Sequence, residues 1–131
     1  MTFFPKSFCY SFSGNPFERC YPTLTSKCNC KTLNLSSPNP DALYQNDKLG
    51  IYHLYGEVNY KPAYQHVTGN DFIYFSDFNQ WFIGPDLGGR AAGIRNEEIS
   101  DCPYLFRKPW DYNVRGELIQ DDEMRLQCLD K

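Results

Sequence analysis

Hydrolytic chemistry needs a nucleophile with its base, or two opposed carboxylates, at positions that a fold can bring together. The chain has two histidines, His53 and His66. One lies within a predicted strand and the other ends the next, so pairing of those strands need not join them. There is no G-x-S-x-G elbow, H-E-x-x-H helix or zinc-type histidine cluster. Both imidazoles therefore read as surface or hydrogen-bonded strand residues, and a hydrolase ranks last among the functional readings. The triplet Asp121-Asp122-Glu123, with Asp101, Asp111 and Asp130 elsewhere, could offer oxygens to calcium. It lacks the D-x-[DN]-x-[DN]-G spacing and reads as a solvated turn, so no metal and no cofactor is expected. Gly88-Gly89-Arg90 lacks the strand-to-helix context and the lysine of a phosphate-binding loop, and reads as a surface loop.

Cysteine is the remaining reactive side chain. Cys9, Cys20, Cys28, Cys30, Cys102 and Cys128 form an even set without paired CxxC knuckles, which points to disulfides rather than zinc. Disulfides persist in oxidising compartments, so a secreted or extracellular address is expected. The sequon Asn34-Leu35-Ser36 makes Asn34 the candidate glycosylation site. A bond between Cys28 and Cys30 would strain disulfide geometry. Cys102 and Cys128 both fall in the later half and are the expected pair, pinning the 96–116 excursion to the last strand.

The elements that must position these residues follow from composition. The chain has 131 residues, 17% of them aromatic, with nine Gly and nine Pro; this favours strands and tight turns over helices. Its net charge is −3 with the Lys and Arg scattered singly, which argues against nucleic acid as a partner. No stretch approaches the roughly 20 apolar residues of a bilayer span, so membrane insertion is not expected. The prolines of Ser36-Ser37-Pro38-Asn39-Pro40 disfavour helix. Residues 1–40 are accordingly expected to be an irregular cysteine-rich arm, and residues 41–131 an antiparallel β module. Alternating segments predict strands over 50–55, 61–66, 71–75, 80–83, 91–95, 118–120 and 124–128, an all-β meander or sandwich. Thr68-Gly69-Asn70-Asp71 is a hairpin signal. Tyr52 and Tyr55 compete with Ile51 and Leu54 for the buried face, whereas Trp81 and Ile83 share one face and Phe82 takes the other.

The run Leu49-Gly50-Ile51-Tyr52, Gly56-Glu57-Val58-Asn59-Tyr60-Lys61-Pro62-Ala63-Tyr64, Phe72-Ile73-Tyr74-Phe75 and Trp81-Phe82-Ile83-Gly84-Pro85 resembles a module recurring in extracellular animal proteins. Its pattern is approximately G-x-x-N-x-[RK]-P-x-Y, an aromatic strand, then W-x-I-G. The resemblance would extend over residues 49–128 and implies an extracellular β module of no assigned activity. A further Trp expected near the last strands is replaced by Glu117-Leu118.

Tyrosine and tryptophan suit binding surfaces, because a rigid ring supplies contact area and a polar tip keeps its hydrogen bond. Tyr52, Tyr55, Tyr60 and Tyr64 recur about one hairpin, and the segment Tyr104-Leu105-Phe106-Arg107-Lys108-Pro109-Trp110-Asp111-Tyr112 mixes aromatics with cations. That segment reads equally as a binding loop or as a lid folded onto the core. The expected ligand-binding residues are Tyr52, Tyr60, Tyr64, Tyr104, Arg107, Trp110 and Tyr112, engaging an extracellular protein or glycan without catalysis. The alternative is a secreted inhibitor or effector that presents the disulfide-tethered 9–30 loop, in which case substitutions at Glu18 and Arg19 would abolish activity.

Overall fold

The computed structural model describes residues 28–130, together with the backbone of two short N-terminal strands, β1 (Phe8–Ser11) and β2 (Glu18–Tyr21), which pair antiparallel. The other nine strands form one antiparallel sheet. They are β3 (Thr32–Ser36), β4 (Gly50–Val58), β5 (Lys61–His66), β6 (Phe72–Phe75), β7 (Trp81–Gly84), β8 (Ile94–Asn96), β9 (Trp110–Val114), β10 (Glu117–Asp121) and β11 (Arg125–Cys128), in the order β10-β9-β8-β7-β6-β5-β4-β3-β11. The all-β expectation holds. Four strands lay unseen in the sequence, β1 and β2 of the N-terminal pair and β3 and β9 of the large sheet. β3 sits in the region assigned to the arm, and β9 begins inside the segment read as a loop or lid. The sheet therefore begins within residues 28–36, and the boundary expected at residue 40 is corrected. The prolines after Ser36 made this stretch read as irregular, but residues 32–36 have strand neighbours to pair with on both sides, and Pro40 opens a run of 3-10 turns.

The sheet cannot be flat. Nine strands at about 4.8 Å each would hold the two edges roughly 38 Å apart, whereas the link from Asp121 to Arg125 reaches at most about 14 Å. Every neighbouring pair is antiparallel, so β10 and β11, the two edge strands, run in the same direction. They are two halves of one bent strand, the first pairing with β9 and the second with β3. The sheet curls like a barrel, and this bend is its seam.

Alternation then sorts the side chains. Leu33, Leu35, Tyr52, Tyr64, Ile73, Trp81, Ile83, Ile94, Trp110, Tyr112, Met124 and Leu126 form one buried cluster on the concave face, while Val58, Ala63, Tyr74 and Phe82 form a second on the outer face. Trp81 and Ile83 fall on one side and Phe82 on the other, as alternation requires. The open register of β4 is settled by a bulge between Leu54 and Gly56. Before it, Tyr52 and Leu54 face inward; after it, Val58 faces outward. Two hairpins turn through consecutive left-handed residues, Asn59-Tyr60 (φ 52° and 67°) and Arg115-Gly116 (φ 54° and 86°), the backbone of a type I′ turn whose twist matches the strands. Short 3-10 turns over Pro40–Lys48, capped by Asn39 and interrupted at Gln45, bury Ala42 in the concave core.

Cys28 bonds Cys102 and Cys30 bonds Cys128. The expected Cys102–Cys128 pair is thereby corrected, and both bonds instead staple the residues before β3 to the far half of the chain. Position along the chain could not reveal this, because the curl makes β3 the neighbour of β11 and brings sequence-distant sulfurs together. Among the described residues no cysteine is free.

Candidate functional site

The bend between β10 and β11 is held by a single carboxylate. Asp121, 1% exposed, accepts hydrogen bonds from Tyr112 Oη (2.7 Å) on β9 and from Ser37 Oγ (2.7 Å) just beyond β3. Its other oxygen accepts from the backbone N–H groups of Glu123 (2.9 Å) and Met124 (3.1 Å). Burial alone would raise its pKa; the four donors outweigh that and hold the carboxyl below the usual range. Asp121 thus ties both edges of the sheet to the turn between them, and the solvated turn expected for the triplet describes only Asp122 and Glu123, which are exposed.

After the bend the strand leaves β9, and a cleft of about 400 Å³ opens beside it. One wall is the segment 103–110 and the other is residues 122–126. A row of rings backs the cleft, with centroids 5.7 Å apart for Phe75 and Trp81, 5.6 Å for Trp81 and Phe106, and 5.4 Å for Phe106 and Trp110. Phe106 therefore folds back over the core while its neighbours line the opening, so lid and binding wall are the same segment. Polar groups behind the segment fix it. Asn96, fully buried, donates from Nδ2 to the Lys108 carbonyl (2.9 Å) and accepts at Oδ1 from Glu98 N (2.8 Å). Glu98 Oε1 in turn accepts from the backbone N–H groups of Arg107 (3.2 Å) and Lys108 (3.4 Å). Trp81 Nε1 donates to Ser100 O (2.9 Å), and Cys28–Cys102 anchors the start of the segment. The cleft wall is a scaffolded surface, the preorganisation that a binding site requires.

Of the seven expected binding residues, Tyr104, Arg107 and Trp110 line this cleft. Tyr52 and Tyr64 are wholly buried, and Tyr112 nearly so. Their hydroxyls donate to Lys48 O (2.6 Å), Cys30 O (2.7 Å) and Asp121. All three are core tyrosines, placed inside by strand alternation, and their expected surface role is corrected. Trp110 is 2% exposed, so it backs the cleft and offers little surface. Tyr60 is 95% exposed at its turn and stands outside the cleft lining. Asn34 lies between inward-facing Leu33 and Leu35, directed to the outer face and partly exposed. Sequence reasoning missed Met124, Arg125 and Leu126 as lining residues; the signal for them was the bend itself, visible only as a three-residue gap between two predicted strands.

His66 is buried, with Nε2 2.7 Å from Leu49 O and Nδ1 2.9 Å from Thr68 Oγ1. His53 is exposed, with Nδ1 3.4 Å from Thr32 Oγ1. Neither lines the cleft. Cys9, Cys20, Glu18 and Arg19 have side chains outside the described residues. Among the described residues no helix is long and apolar enough to cross a membrane. Comparison with protein-family models, with curated proteins and with solved structures returned no match.

Proposed function

We propose that this chain is a secreted recognition module that holds its ligand in the cleft between residues 103–110 and 122–126. One observation carries the reading: a cleft of about 400 Å³, within the range of small-ligand sites, is walled by Tyr104, Phe106 and Arg107 on a segment fixed from behind by Asn96, Glu98 and a disulfide. Recognition of this kind needs rigid rings and a few polar groups, with no proton-transfer machinery. Two disulfides and a sequon residue on the outer face support the secreted address.

The test is an array of glycans and extracellular domains probed with the wild type, a Tyr104→Ala/Arg107→Ala variant and Tyr60→Ala. Binding that is lost in the cleft variant and kept in Tyr60→Ala supports the site. Binding indifferent to the cleft variant, or lost on changing Tyr60, refutes it.

A further inference from the structure

Resting on that reading, the chemistry of the cleft narrows its occupant, and we propose that it takes an acidic saccharide, a sugar unit bearing a carboxylate or a sulfate. The chain as a whole is acidic, at −3, yet among the described residues the cleft lining reverses that balance, with Arg107, Lys108 and Arg125 against Asp122. The lysines that serve the fold are paired, Lys48 with Asp47 and Asp71, and Lys61 with Asp101 at 2.6 Å. Arg107 and Lys108 are exposed and form no ion pair among the described residues. Their backbones are fixed by Glu98 while their charged ends are left to an incoming anion. Arg125 is held in place differently, its Nη1 donating to the carbonyls of Asp122 and Met124.

The backbone argues for a small ligand rather than an acidic peptide. Leu129 N donates to Thr32 O (2.9 Å), so by alternation residues 125, 127 and 129 address β3. The N–H and C=O of Leu126 and Cys128 then point to the opposite edge. The 3-10 turn Pro103–Leu105 lies against β11, and Leu126 lines the cleft. A peptide strand needs several successive partners along an edge. Of the two outward residues only Leu126 is in the described cleft lining, and its one donor and one acceptor suit the hydroxyls of a sugar ring lying against Tyr104 and Phe106.

The experiment is saturation-transfer NMR with calorimetry at low ionic strength. The probes are N-acetylneuraminic acid, glucuronic acid, glucose 6-sulfate, neutral glucose and a blocked tetraglutamate peptide. At least one acidic sugar should bind about tenfold more tightly than glucose, and roughly 0.5 M salt should weaken it severalfold. The carboxylate and sulfate arms identify which anion is read. Arg107→Ala/Lys108→Ala changes only exposed side chains and should abolish the preference while leaving the urea midpoint unchanged. Equal binding of glucose, no binding of any acidic sugar at about 10 mM, tighter binding of the peptide, or a preference that survives the double substitution would overturn the proposal. If the array instead finds a neutral glycan or a protein held through Tyr104, the acidic assignment fails while the recognition site stands.

Discussion

Replacing Asp121 with alanine should cost about 3–9 kcal/mol. The figure follows from the groups left behind. Tyr112 Oη and Met124 N are buried, and a buried donor stripped of its partner costs about 1–3 kcal/mol. Ser37 Oγ and Glu123 N are partly exposed and can turn to water, so each loses less, on the order of 0.5–1.5 kcal/mol. Because small domains hold about 5–15 kcal/mol in total, the loss is a large share of the fold's margin. Asp121→Asn keeps the shape: its carbonyl can accept from the two turn N–H groups while its amide donates to the two hydroxyl oxygens, and about 1–2 kcal/mol is expected. Urea unfolding at neutral pH with disulfides intact reads the difference through Trp81 and Trp110, which are buried in the fold. Amide exchange at Glu123 and Met124 reads local opening of the bend. An alanine variant within about 1 kcal/mol of wild type, or an asparagine variant as damaging as alanine, would refute the claim that this carboxylate closes the seam.

Acid behaviour should separate two buried aspartates. Asp121 has its pKa lowered, so its stabilisation is present above the unfolded value near 4 and is lost as pH falls through the folded value. Asp71 has its pKa raised by burial, which the charge of Lys48 only partly offsets, so its contribution is full below the unfolded value and is lost as pH rises through the folded one. Relative to wild type, Asp71→Asn should therefore gain stability between roughly pH 3 and 6 and Asp121→Asn should lose it; urea midpoints moving in the same direction would contradict this. Non-reducing peptide mapping should recover Cys28–Cys102 and Cys30–Cys128, leaving Cys9 with Cys20, its partner across β1 and β2; a Cys102–Cys128 peptide would refute the pairing. With Cys28–Cys102 intact, the second bond closes an effective loop of about 28 residues, so exchanging Cys30 and Cys128 for serine should cost about 3–4 kcal/mol in chemical unfolding. Phe106→Ala should lose about 2 kcal/mol by removing the ring between Trp81 and Trp110, whereas Tyr60→Ala should lie within about 0.5 kcal/mol of wild type; equal losses would undo the assignment of Phe106 to the core.

What the sequence conveyed was local. Period-two alternation placed β5 at its observed bounds and located most of β4, β6, β7, β10 and β11, and it separated Trp81 from Phe82 correctly. Failures came where a long-range contact decided the outcome. Residues 32–36 have no turn chemistry that marks them as a strand, and become one because β4 and β11 lie on either side. The tyrosines of β4 and β5 carry polar tips that suit a surface, but reach backbone carbonyls from within the core. The cleft was half legible: the mixed aromatic and cationic run announced one wall, and the other wall came from a turn whose leading aspartate was read as solvated.

The seam also has a consequence for biosynthesis. β3 emerges early from the ribosome with one of its two edges unsatisfied, and its partner β11 is made roughly 90 residues later. Cys28 can meet Cys102 before that moment, whereas Cys30 must wait for Cys128, so one sulfur bond records the nascent chain and the other records its completion. A polypeptide cut short before residue 125 would keep an open sheet edge and an idle thiol, one inviting pairing with another chain and the other inviting disulfide exchange.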